Sequence, residues 1–159
     1  MSCQIDDIDL TPALALLDIQ LPTSIAFFPE NLDSAKSINE FVFSDSLIDL
    51  NKVLRKNNLT IPSFGGQNEA TRNRKNADIY IPAIFFSASL LSENPNLVSL
   101  SLNIVSNYLT DFFKGRLGSK KAHAEFYVET KEKDKVKKIS YTGPVDGLKE
   151  IADIIRSMK

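Results

Sequence analysis

The lone histidine of this chain, His123, stands two residues before Glu125 in a stretch that alternates apolar and polar residues. In an extended strand, residues two apart project from one face, so an imidazole and a carboxylate could meet there as an acid–base pair. That pairing defines one reading, a small hydrolase centred on His123 and Glu125. The same face carries Tyr127 and Glu129, so the pattern is equally the polar side of an amphipathic strand.

A second chemistry lies in two basic segments. Residues 114–121 hold Lys114, Arg116, Lys120 and Lys121 with no acid between them, and Gly115 to Gly118 has the GxxG form of loops that clamp RNA backbones. Such a loop joins two helices, whereas this one joins a helix to a strand. A helix C-terminus whose lysines complement its dipole explains the segment as well. The polar connection 62–76, PSFGGQNEATRNRKN, adds Arg72, Arg74 and Lys75 beside two glycines. Arg72, Arg74, Lys75, Arg116, Lys120 and Lys121 are therefore the candidate contacts for phosphate, a nucleotide or nucleic acid. An exposed loop with no ligand is the alternative.

Other chemistries lack their marks. Asp6, Asp7 and Asp9 cluster, and hard cations favour carboxylates, but the glycine and distal glutamate of a calcium loop are missing. A solvated acidic tail is expected there, with no metal and no other cofactor. The single cysteine, Cys3, excludes an intrachain disulfide and a CxxC zinc site, and it reads as a free thiol. No GxSxG elbow, phosphate-binding P-loop or GxGxxG motif is present.

The elements that must position these residues follow from periodicity. Thr11-Pro12 opens a short helix over 12–19, SIAFF at 24–28 reads as a strand, and 44–56 reads as a helix capped by Ser44. Residues 1–35 are otherwise rich in Asp and Pro and are expected to be partly irregular. The run 78–91, DIYIPAIFFSASLL, has the profile of a strand buried on both faces, with Pro82 at its start or at a bulge. Asn94-Pro95 opens a helix whose Leu97, Leu100, Ile104, Tyr108 and Phe112 recur at helical spacing. Residues 122–130 and 136–142 form a β-hairpin, and Gly143-Pro144 leads into a last helix with Leu148, Ile151, Ala152, Ile155 and Met158 on one side. From residue 78 the order is strand, helix, strand, strand, helix. The fold class is therefore α/β, or α+β, with helices packed on a mixed sheet, the first crossover parallel and the hairpin antiparallel.

At 159 residues, 43% hydrophobic and 25% charged, the chain fits one globular domain. Its net charge of −1 conceals a split: residues 1–50 hold nine acids and one base, giving −8, and the remainder holds 18 bases and 11 acids, giving +7. Such a split suits a basic face covered by an acidic segment, two surfaces for different partners, or scattered solvated charges. The mixed-sign stretch 129–138 reads as a solubilising turn. Acids stand where a signal peptide would carry bases, and the apolar stretch 97–113 is interrupted by serine, asparagine and aspartate. A cytoplasmic protein without a membrane span is expected.

The segment Lys138-Ile-Ser-Tyr-Thr-Gly-Pro-Val-Asp-Gly-Leu-Lys-Glu-Ile151 resembles the closing strand and helix of small α/β accessory domains encoded beside bacterial effector and anti-phage defence proteins. The resemblance implies a companion role and transfers no catalytic residue. With no catalytic constellation in the sequence, the leading expectation is a non-enzymatic adaptor that binds a protein partner or a second copy of itself. The surplus of apolar residues in 97–113 would supply an exposed patch for it. A nucleotide or nucleic-acid binder is the alternative, and the hydrolase is the third.

Overall fold

The computed structural model describes residues 2–66, 71–72, 78–114, 121–132 and 134–158. The chain runs β1 (Ser2–Asp9), α1 (Thr11–Leu17), β2 (Ile25–Phe28), β3 (Phe43–Ser44), α2 (Leu47–Lys56), β4 (Thr71–Arg72), β5 (Ile79–Tyr80), β6 (Ala83–Phe86), α3 (Ala88–Glu93), α4 (Pro95–Phe113), β7 (Ala122–Glu129), β8 (Lys135–Gly143) and α5 (Leu148–Arg156). Six strands form one mixed sheet in the order β1-β8-β7-β6-β2, with β5 also on β7, and β3 and β4 pair apart from it. β6 is parallel to β7, and β7 is antiparallel to β8. The α/β architecture expected from residue 78 onward is the one observed.

Proline divides the first strand. Tyr80 pairs with His123 and Ile84 with Phe126, so four steps along one strand match three along its neighbour. The extra residue is a bulge at Ile81-Pro82-Ala83, where a missing N–H is tolerated. The strand then ends at Phe86 and does not continue to Leu91. Ser87 accepts a hydrogen bond from the Leu90 N–H at 3.1 Å, and the Ala88 N–H donates to Glu129 Oε1 at 2.8 Å. Two side-chain acceptors at a helix start turn SASLL into α3.

The alternation of β7 divides its residues between two environments. Ala122, Ala124, Phe126 and Val128 are buried. On β8, Tyr141 pairs with Ala124, and its hydroxyl donates to the Pro144 carbonyl just ahead of α5. This is therefore the helix-covered face, where Leu148, Ile151 and Ile155 are buried and α4 packs against α5. Of the stripe expected at Leu97, Leu100, Ile104, Tyr108 and Phe112, Ile104 is buried and Leu97, Tyr108 and Phe112 pack half-buried against the core, while Val98, Leu102, Val105 and Leu109 complete the buried surface of α4. Because α4 also packs against α2 and α3, its covered surface is wider than one stripe, and Leu100 is the large apolar residue left 47% exposed.

The opposite face is covered by the N-terminal half. Phe28 stacks on Phe85 and Phe64 at 4.8 and 4.9 Å, and Tyr127 joins them at 5.1 Å. One hydrophobic cluster connects residues from Leu10 to Ile155.

The acidic segment expected as a tail is instead a strand, although Asp7 and Asp9 stay exposed and Asp6 half-exposed. Residues 2–9 form β1, the sheet's edge, antiparallel to β8, with Asp6 opposite Lys138, Asp7 opposite Lys137 and Asp9 opposite Lys135. Lys137 Nζ lies 2.8 Å from Asp7 Oδ1. Part of the charge split is thus opposite charges placed across one strand pair, and the lysines of the hairpin belong to that ladder. The first 35 residues are regular over 2–9, 11–17 and 25–28 and irregular between. Among the described residues, no helix is long and apolar enough to cross a membrane.

Candidate functional site

β5 and β7 are parallel neighbours, so both begin at the same end of the sheet. Ile79 pairs with Ala122 and Tyr80 with His123. This register sets the His123 ring flat against the Tyr80 ring, 4.3 Å between centroids and 8° from coplanar. Across the other edge of β7, His123 pairs with Thr142 of β8, and Nδ1 lies 3.1 Å from Thr142 Oγ1. Nε2 lies 2.9 Å from Asp78 Oδ2, both side chains being 25% exposed. Asp78 also receives the Lys121 N–H on Oδ1 at 3.3 Å. The His123 hydrogen bond, helped by the Lys121 N–H and charge, holds the Asp78 carboxyl below its ordinary value of 3.8.

Around this cluster is a cleft of about 380 Å³. Glu30, Asp33 and Ser44 line it from the N-terminal half, and Tyr80, His123 and Glu125 line it from the sheet. Its wall is fastened by Ser44 Oγ donating to Glu30 Oε1 at 2.8 Å and by Ser46 Oγ donating to the Tyr80 carbonyl. A second cleft of about 340 Å³ shares Glu30 and Asp33 with the first and is lined by Leu10, Leu16, Leu32 and Tyr127. Polar and apolar clefts therefore meet at residues 30 and 33. Burial, then the nearby Glu125 charge, pushes the Tyr127 phenol well above its ordinary 10.

His123 and Glu125 share the first cleft, but the structure does not join them as the sequence suggested. Glu125 Oε2 lies 3.3 Å from Lys138 Nζ, and the carboxylate on the imidazole is that of Asp78. Both imidazole nitrogens are engaged and one ring face is covered by Tyr80, so Asp78, His123 and Thr142 stand in the order of an Asp–His–Thr relay. Sequence reasoning missed Asp78, Tyr80 and Thr142. Asp78 is 45 residues from His123, and only the parallel register brings them together.

Of the six basic candidates, Lys121 is exposed at the start of β7, and Arg72 lies in β4, its backbone paired with that of Ser44. Arg74, Lys75, Arg116 and Lys120 lie outside the described residues. The segments that contain them lead into Asp78 and Lys121, which are hydrogen-bonded neighbours. No group of three or more histidine, cysteine or acidic residues among the described residues is placed to hold a metal ion.

Comparison of the chain with family models, with curated proteins and with solved structures gave no match. A function must therefore be argued from the site itself.

Proposed function

We propose that this chain is a non-enzymatic adaptor domain whose composite cleft receives a basic, partly apolar segment of a protein partner. One observation carries the reading: a carboxylate-lined cleft and an apolar cleft meet at Glu30 and Asp33. Acidic walls favour a lysine or arginine side chain, and Leu10, Leu16 and Leu32 favour an apolar neighbour beside it. The resemblance of residues 138–151 to accessory domains of bacterial defence sets supports a companion protein as that partner. Isolation of the tagged chain from its native host, with light scattering, tests the proposal. A stoichiometric complex released by Glu30→Lys or Glu125→Lys supports it, and a strictly monomeric chain with no partner overturns it. Turnover in a substrate screen that disappears in His123→Ala would replace it with the hydrolase reading.

The contact between Asp78 and Lys121 favours one further reading, nucleotide or nucleic-acid binding at the end of the sheet where Lys121 is exposed. It predicts RNA binding that weakens with salt and with Lys121→Glu. RNA binding unchanged by that reversal excludes it.

A further inference from the structure

Among the described residues β1 has one neighbour in the sheet, β8, which leaves its other edge open. The sheet's opposite edge is closed: the Phe27 N–H donates to the Pro62 carbonyl, and the Phe64 N–H donates to the Phe27 carbonyl, both at 2.8 Å. An open edge carries a row of backbone donors and acceptors that another strand can satisfy. On β1 this row stands beside Asp6, Asp7 and Asp9, and Ile5 is 46% exposed although it pairs with the fully buried Ile139. An apolar side chain laid beside Ile5 would extend the layer that Ile139 closes.

We propose that the open edge of β1 binds an extended basic strand of a protein partner by strand addition. The register with β8 gives the chemistry of the occupant, since three lysines already face the three aspartates on the inner side. A second copy of this chain is the poorer occupant: parallel pairing of two β1 strands sets Asp6, Asp7 and Asp9 beside their own copies, and full-length antiparallel pairing sets them opposite Ile5, Gln4 and Ser2, none of which is basic. The proposal deepens the adaptor reading and rests on it for the existence of a partner.

The probe is a synthetic peptide with the sequence of residues 135–142, Lys-Val-Lys-Lys-Ile-Ser-Tyr-Thr, added to the intact chain. Amide hydrogen exchange by NMR should show new protection confined to β1. Affinity should fall by about tenfold in Asp6→Lys/Asp7→Lys, equivalent to about 1.4 kcal/mol, and a peptide with glutamate in place of lysine should not bind. Ile5→Asn is the milder second variant, and circular dichroism confirms that each variant is folded. No added protection of β1 at millimolar peptide overturns the proposal. So does protection that appears without peptide and rises with protein concentration, which identifies a second copy as the occupant. Glu125→Lys should leave peptide binding unchanged. If the peptide fails while a native partner is still released by Glu125→Lys, strand addition is wrong and the adaptor reading stands.

Discussion

His123 Nε2 lies 2.9 Å from Oδ2 of Asp78, joining the starts of two parallel strands. The Asp78 carboxyl is held below 3.8 in the folded state, mainly by this hydrogen bond. A depressed carboxylate stabilises the fold above its unfolded pKa and loses that contribution as pH falls through its folded value. The thermal midpoint of the natural chain should therefore exceed that of Asp78→Asn at pH 5 to 6, and the gap should close below about pH 3.8. A gap that stays constant down to pH 2.5 in circular-dichroism melts would refute this assignment.

Tyrosine should produce the opposite effect at high pH. Burial, then the charges of Asp49 and Asp45, pushes the Tyr108 phenol up to about 12, and burial also raises Tyr127 and Tyr141. A raised pKa stabilises the fold below the unfolded value of 10 and is lost as pH climbs beyond it. Absorbance titration at 295 nm should show most of the four tyrosines ionising only as the chain unfolds. Tyr108→Phe should lessen the loss of stability between pH 10 and 12.

Gly147 is required for its size. A Cβ there would meet the Tyr141 hydroxyl oxygen at 2.1 Å and its ring carbon at 2.7 Å. Gly147→Ala must push aside a fully buried ring and break its hydrogen bond to the Pro144 carbonyl. Urea denaturation should show a loss of about 2 kcal/mol, and Tyr141→Phe alone a loss of about 1 kcal/mol. Equal losses in the two variants would count against this contact.

Phe28 joins the N-terminal half to the sheet. It is fully buried and stacks on both Phe64 and Phe85. Phe28→Ala should cost about 4 kcal/mol, and it should increase amide exchange at Phe64 and Phe27, whose backbones are bonded to one another. Loss of stability without faster exchange there would mean that the two halves are held together elsewhere.

Residues 122–158 were the most legible part of the chain, because their information is local. Alternation along Ala122 to Glu129 and helical spacing from Leu148 to Ile155 each state an element within a few residues. The strand after Asp78 was half-legible: Pro82 allowed a strand start or a bulge, and the end at Ser87 depends on Glu129, which comes from a distant strand to cap α3. The buried surface of α4 is wider than its stripe for a similar reason, since α2, α3 and α5 all pack on it.

The sequence by itself determined the mixed α/β order, the hairpin and the polar face that bears His123. Tertiary structure alone decided that Asp6, Asp7 and Asp9 lie in an edge strand opposite lysines 126 to 132 residues away. It also decided that Asp78, and not Glu125, holds the imidazole. Periodicity reports which way a side chain points within its own element. Which residue it meets depends on strand order and register, and those are set by burial of the whole core.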